Sequence, residues 1–507
     1  MAILAVELTT SLLAVGILSA SLMWYVVTAI QSWYRLRRFP GPFLASFSYL
    51  WGYLAMRAGR MHIRVAEEEK KYGKIVRIGP NELLIHDPKT VRHMNGVRSN
   101  YQKGGWYSGL KLDPYGDSML SERNTAAHDA RKAKMAAGYA GKGGLDLEAK
   151  VNSELSVLTN LLKSKYLVKG AYRPLDLSRL ILFFQTDVIT NVGFGEQWGD
   201  LATETDVFGW ISIADALVPL VECLIMVPFL RSLFMSSFFL KLVVPKPTDK
   251  KGMGMVLGLI KGLVARRFEN SAEGGNSQEC ILDGWIKQGA TRRECELELA
   301  LVLPAGLETT ATVMRGVMLH LLSAPTAYRK LQDEITRGVR EGRISSPITN
   351  SEAKQLPYLQ AVIYEGMRMS PPPVMGFPKR VPPGGDTISG HFVPEGTDVF
   401  LNVVSMLRNP EVFGEDANVF RPERFIECSA EERSELTKNV DLVFGHGRWS
   451  CPGETLARME LNKIFVEILR TCDLQIVNAQ SPWKIKGYTT FKIDDFWVTL
   501  SERAEKI

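Results

Sequence analysis

From Leu8 to Tyr34 the chain reads LTTSLLAVGILSASLMWYVVTAIQSWY and carries no charged residue. Such a run exceeds the ~20 apolar residues that cross a bilayer as a helix. Glu7 precedes it, Trp24, Tyr25, Trp33 and Tyr34 suit an interfacial belt, and Arg35, Arg37 and Arg38 follow. A cleaved leader would need a basic start, a shorter apolar core and a small-residue cleavage site. The pattern therefore predicts an uncleaved, single-pass anchor over residues 1–34, with the N-terminus across the membrane and the remaining chain, 35–507, on the cytosolic side. A buried core helix is the competing reading. The prolines and glycine of FPGPF, Phe39 to Phe43, then predict a stiff elbow.

Past the elbow, KIVRIGPNELLIHD (Lys74 to Asp87) gives two β-like runs around a Gly-Pro turn and predicts a hairpin. Most of 145–370 has helical apolar spacing, and β-type runs return near Val399 to Val404 and after Gly487. With no repeat and no low-complexity linker, the expected fold class is mainly α with small β-sheets. The stretch Val207 to Val244 is unusually apolar, and Pro219 and Pro228 are expected to break it. Two readings stand for it: helices covering a greasy pocket and touching the bilayer, or plain core helices.

Composition narrows this picture by exclusion. With 46% apolar and 23% charged residues the chain is ordinary globular protein, and a net charge of +6 over 507 residues, without a dense basic block, gives no nucleic-acid footprint. Six cysteines, at 223, 280, 295, 428, 451 and 472, lie far apart with no CxxC pair, against both a disulfide framework and a tetrahedral zinc site.

Four segments carry candidate chemistry. In FGHGRWSCPGE, Phe444 to Glu454, the glycines at 445, 447 and 453 allow tight turns and close approach to a flat ligand, while Pro452 suits the first turn of a following helix. A sulfur at a helix start feels the positive end of the dipole and spare N–H groups, so the setting favours a thiolate at Cys451; a small buried hydrophobe is the plain alternative. His446 is the only further zinc ligand nearby, so a metal that brings its own four ligands, such as haem iron, fits better. In YEGMRMSPPP, Glu365 and Arg368 share a helix face and can pair. In FRPERF, Arg424 stands between aromatics where it offers a buried carboxylate a second cation. In ALVLPAGLETTATVM, Pro304 and Gly306 predict a bent, opened helix in which Thr309 bonds back to Ala305 and Glu308 supplies protons.

In this order the four segments resemble the cytochrome P-450 haem-thiolate monooxygenases, over about residues 36–507. The matching positions are Ala305, Gly306, Glu308 and Thr309; Glu365 and Arg368; Phe420, Pro422, Arg424 and Phe425; and Phe444, Gly447, Cys451 and Gly453. The resemblance implies the fold of that family, haem b with Cys451 as its metal ligand, Glu308 and Thr309 as catalytic residues, and O2 with NADPH-derived electrons from a flavoprotein reductase. It further implies cofactor contacts from Phe444, Gly447, Arg448, Trp449, Gly453, His128, Lys132, Ala305, Glu365, Arg368 and Arg424. Lys132, Lys134 and Arg448 are the expected reductase contacts. The anchor and PPGGDTISGHFVPEGT look like the microsomal, fungal secondary-metabolism branch, which implies the endoplasmic reticulum and an apolar small-molecule substrate. Its pocket walls are expected from Tyr101 to Leu120, 207–244, Ala305, Pro372 to Phe377 and Thr489 to Phe491. Two positions depart from the pattern: Trp449 stands where the family places Arg or His for a haem propionate, and His128 with Lys132 replace Trp and Arg. Indole has one N–H and no acceptor, so Trp449 is expected to donate a single bond while Lys132 and Arg368 supply charge and Arg448 faces solvent. A haem-thiolate isomerase or dehydratase, which would not use Glu308 and Thr309, and a non-catalytic haem or sterol binder are the rival readings.

Overall fold

The computed structural model describes residues 2–142, 144–168, 173–273 and 279–503. The N-terminal helix, Ala2–Leu36, runs slightly further than the uncharged stretch that predicts it. Its last turn is already docked: Leu36 is fully buried, and Arg35 donates to the carbonyl of Glu395 (2.6 Å) and the hydroxyl of Thr397 (3.1 Å). Leu18, Leu22, Met23 and Trp24 on the same helix are exposed. Val15–Leu36 is long and apolar enough to cross a membrane; Arg292–Ser323 meets the same criterion but is mostly buried, as a core helix is.

The Lys74 to Asp87 pattern folds as expected into strands Ile75–Gly79 and Glu82–Ile85, paired antiparallel. They edge a five-stranded sheet whose next strands are Asp398–Asn402, parallel to Glu82–Ile85, then Met375–Arg380 and Gln102–Lys103. Arg77 of the first strand is 1% exposed, and its guanidinium donates to the carbonyls of Ser32, Trp33, Ser46, Gly79 and Pro80, which ties the end of the N-terminal helix to the sheet. Five neutral acceptors stand in for a counter-ion. Among the described residues there are three smaller sheets, including the hairpin Lys484–Gly487 with Phe491–Asp494.

Helices make up the rest. The central helix, Arg292–Ser323, starts from a capping box in which Thr291 and Glu294 exchange side-chain-to-backbone bonds, and it packs on Leu177–Phe194 and Pro357–Met369. It continues through Pro304 unbroken. Pro219 likewise lies inside helix Trp210–Met226 rather than ending it, while Pro228 opens Pro228–Phe234 at the position where a missing N–H costs nothing. The helix after Cys451 begins at Glu454, two residues beyond Pro452, which sits in the preceding turn. All six cysteines are free.

The pair that shares one face of Pro357–Met369 is far from a surface bridge. Glu365 and Arg368 are fully buried and bidentate, at 2.7 and 2.8 Å, and Arg368 also donates to the carbonyls of Leu407, Ala417 and Val419. Arg424 stands 3.6 Å from Glu365, yet its bonds go to Asp416 and the carbonyl of Phe413. Helix Pro357–Met369 and the segment 407–424 thus meet on one buried ion pair. Arg368→Ala should destabilise the fold by about 3–5 kcal/mol, the cost of leaving one charge of a buried pair uncompensated. Urea unfolding checks this, and a loss under 1 kcal/mol would contradict it.

Candidate functional site

A cavity of about 1110 Å³ lies inside the helical part. That exceeds the ~300–1,000 Å³ typical of a site for one drug-sized ligand. Its walls come from the segments expected: 103–120, 210–222 and 234–245, Pro372, Pro373 and Phe377, and Tyr488 to Lys492, with the central helix and the Cys451 loop.

Between Leu297 and Leu319 the central helix is buried except where it meets this space, at Pro304, Ala305, Gly306, Glu308 and Thr309. Thr309 donates to the carbonyl of Ala305 at 2.8 Å, as its spacing predicts. Gly306 makes room for a neighbouring helix: a Cβ there would stand 2.3 Å from Ile189 Cδ1. Glu308 is not a free acid. Its carboxylate is gripped by the fully buried Arg315, two turns further along the same face of the helix, at 3.1 and 3.4 Å, and Arg315 also donates to the carbonyl of Ile493. Burial raises the Glu308 carboxyl and Arg315 opposes the rise.

Cys451 also lines the cavity. Its loop turns at Gly445 (φ +78°), where a Cβ would sit 2.7 Å from the carbonyl of Trp449, and the amide of Cys451 returns to the carbonyl of Phe444 at 2.6 Å. Burial raises the thiol pKa, against the lowering by the N–H groups of Gly453 and Glu454 and by Lys132. The helix-start N–H groups thus act on the sulfur in the expected direction, burial acts against them, and a cation at the sulfur would add to the former.

Trp449 stands in a nest of bases. The ammonium groups of Lys379 and Lys103 lie 4.5 and 5.2 Å from its ring, and the His128 ring is 4.6 Å away. Lys132 donates to the carbonyls of Arg448 and Ser450, Lys103 to those of Met119 and Leu120, and Lys379 to the hydroxyl of Tyr107. His128 is held down to about 4, chiefly by burial and Lys103, so it is neutral at pH 7. Lys103 and Lys379 escape a reading of local sequence, since each looks like a lone surface lysine. Strand pairing sets them directly opposite each other, a placement that like charges disfavour. Their neighbour Arg380 turns the other way and binds Asp398 at 2.8 and 2.9 Å.

Other expected contacts lie off the cavity wall. Glu365, Arg368 and Arg424 are committed to their own buried network, so Arg368 is not available to supply charge at Trp449. Gly447 (φ +56°) packs against the carbonyl of Asn95 instead of a ligand. Arg448 faces away and pairs with Asp129 at 2.9 Å, and Lys134 pairs with Glu294 at 3.0 Å. Phe444, Trp449, Gly453, His128, Lys132 and Ala305 do line the cavity.

A mainly helical domain with a cysteine loop and a polar-centred long helix around one apolar cavity is the architecture of an oxygen-using haem enzyme, and the comparisons agree. A model of the family described as Cytochrome P450 matches residues 40–493. Cytochrome P450 monooxygenase ABA1 of Pyricularia oryzae is 41% identical over 499 residues, 96% of each chain, and cytochrome P450 monooxygenase aba1 of Botryotinia fuckeliana is 41% identical over 471 residues, 92% of each. Pisatin demethylase of Fusarium vanettenii is 28% identical over 478 residues, 93% of this chain and 91% of its own. The chain belongs to the cytochrome P450 family and is a monooxygenase of that family, which implies haem and O2. The residues present fit haem: a cavity with one thiol among its described lining residues, and the buried Lys103 and Lys379 with the half-buried Lys132 beside it, making no ion pair with a described carboxylate, suit a flat metal macrocycle with two carboxylates.

Burial holds Lys379 well below the ordinary ammonium value and Lys103 at about 7. The unfolded chain keeps both protonated to about 10, so it binds more protons than the fold between pH 7 and 9, and stability of the haem-free chain rises with pH across that window. Lys103→Met should remove on the order of 2 kcal/mol of that rise. Thermal unfolding of parent and variant at pH 7 and 9 checks it; an equal rise in both contradicts it.

Proposed function

We propose that the chain is a membrane-attached haem-thiolate monooxygenase that oxidises an apolar small molecule, drawing electrons from NADPH through a flavoprotein reductase. The observation that carries this is one apolar cavity walled by the Cys451 sulfur, the Ala305–Thr309 opening and the lysine cluster. Bound haem would supply oxygen activation, with a thiolate ligand favouring O–O cleavage. Cys451 would be its protein ligand, Lys103, Lys132 and Lys379 would hold its carboxylates, and the Trp449 N–H would add a donor without charge. Thr309 keeps its hydroxyl at the cavity by bonding Ala305, Glu308 passes it protons, and Arg315 positions Glu308. The apolar walls keep water away from the reacting carbon. Glu308 and Thr309 on this wall favour oxygen chemistry over an isomerase or dehydratase.

Residues 1–34 serve as the anchor and 35–507 as the catalytic domain, in the endoplasmic reticulum membrane with the catalytic part cytosolic. The exposed side chains of Phe229, Leu233, Phe238 and Leu242, on helices next to the cavity wall, support a second contact with the bilayer. The substrate is a secondary metabolite, the class that the fungal branch implies. Lys134 and Arg448 remain the reductase-facing candidates; the Lys132 ammonium is turned inward to backbone carbonyls.

Reconstitution with a reductase and NADPH, with apolar metabolites screened by mass spectrometry, tests the reading. Cys451→Ala should yield folded protein without a thiolate-haem spectrum and without product; a thiolate-type spectrum that survives the change would falsify the assignment. Thr309→Ala should still consume NADPH but release more hydrogen peroxide, with product formation down about 10²-fold, the scale of a lost proton-transfer group. Equal product per NADPH in variant and parent removes Thr309 from the mechanism.

A further inference from the structure

Beside Trp449 the cavity wall gathers bases that the fold does not pair with acids. Lys103, on strand Gln102–Lys103, and Lys379, on strand Met375–Arg380, stand opposite each other, are 4% and 2% exposed, and both line the cavity. Their ammonium groups share two aromatic rings: each lies 5.0 Å from Tyr107, and they lie 5.2 and 4.5 Å from Trp449. Their hydrogen bonds go to neutral oxygens, from Lys103 to the carbonyls of Met119 and Leu120 and from Lys379 to the Tyr107 hydroxyl.

The surrounding elements do not offset this. Helix Thr125–Tyr139 adds Arg131, Lys132 and the neutral His128. Two acids act on Lys103 from a distance, and each is bonded elsewhere: Glu122 accepts the N–H of Asn124, and Glu298 of the central helix accepts that of Met119. Asp398, on the strand beyond Lys379, binds Arg380, and burial keeps the Tyr107 phenol protonated. Burial and Lys103 hold Lys379 well below the ordinary ammonium value; burial, then Lys132 and Arg131, bring Lys103 to about 7. A guanidinium in their place would keep its charge at any working pH, whereas a lysine so placed becomes charged when an anion meets it.

We propose that haem binding to this chain is proton-coupled: Lys103 and Lys379 take up protons from solvent as the haem carboxylates arrive and return them when haem leaves, so the cofactor is held more weakly as pH rises from about 7 to 9. The coupling rests on the reading of this cavity as the haem site. Its sign follows from linkage, since the haem-bound chain carries more protons wherever the unpaired lysines are neutral and the paired ones charged. The dependence runs opposite to that of the haem-free fold, which gains stability over the same window.

The test uses the full-length holoenzyme with excess apomyoglobin as haem acceptor, the equilibrium partition of haem being read from absorption spectra at pH 7, 8 and 9. The parent is compared with Lys103→Met/Lys379→Met. The acceptor, Cys451 and Lys132 are common to both, so their own pH dependence cancels in the ratio. Methionine replaces each buried ammonium by an apolar chain of similar length, a change that a site without a counter-ion tolerates. At pH 7 the parent should hold haem more tightly, and its advantage should shrink about tenfold or more per pH unit toward pH 9, as uptake of at least one proton per haem requires. Each single variant should show part of that change, and the single variants decide if the double variant loads no haem. A ratio that does not move with pH, or a double variant that holds haem as tightly as the parent at pH 7, overturns the coupling. A parent without thiolate-haem bands overturns the site reading on which the coupling rests, whereas normal bands with a pH-independent ratio overturn the coupling alone.

Discussion

Burying charge without a counter-charge is costly, and most of this structure is arranged around that constraint. In several places the fold supplies a partner for a buried ion. Glu365 has Arg368 with the Arg421 amide, Arg77 has five carbonyls, and Arg315 has Glu308. Around the cavity the rule lapses. Lys103 and Lys379 are set opposite each other across two strands, and the Cys451 thiol is pushed up by burial with only Lys132 and two amides to oppose it. These groups have poor partners in the protein alone and good ones in a cofactor carrying a cation at its centre and anions at its rim. The protein's electrostatic deficit and the cofactor family membership implies are complementary, and binding such a group returns the desolvation cost to the fold.

The same constraint accounts for the wall facing that cofactor. A long apolar helix would normally be buried all round; this one exposes a few residues in its middle, with Thr309 satisfied by its own helix and Glu308 by Arg315. Because those bonds are internal, the polar groups can face an apolar space without collapsing it. On the proposed proton relay Glu308 would have to loosen this ion pair, so the Arg315 side chain, fully buried and tied to the carbonyl of Ile493, would bear on the site through Glu308.

The helices from Trp210 to Val243 serve two surfaces at once, apolar residues lining the cavity on one side and apolar residues exposed on the other. The competing readings of this stretch as pocket cover or plain core resolve toward pocket cover. Pro219 is tolerated within the first of these helices, where a proline forfeits one backbone bond at a helix face open to other partners.

Local pattern determined a good deal of this protein by itself. The uncharged N-terminal helix, the hairpin at Lys74 to Asp87, the central helix with its Thr309 back-bond, the Glu365–Arg368 pairing and the glycine-lined Cys451 loop all follow from residues within a few positions of one another, where periodicity, spacing and turn chemistry act directly. What local pattern could not determine is which charges end up buried and beside what. Arg368 is spent on Glu365 and three carbonyls instead of the cofactor, Arg448 turns to Asp129, and Gly447 serves Asn95. The bases around Trp449 come partly from Lys103 and Lys379, brought face to face by strand register between segments far apart in the chain. Glu222 meets Thr489 in the same way. Periodicity encodes which side of an element is apolar, but the register and burial that join distant elements are fixed only when the whole core packs, and the cavity's chemistry is written in those junctions.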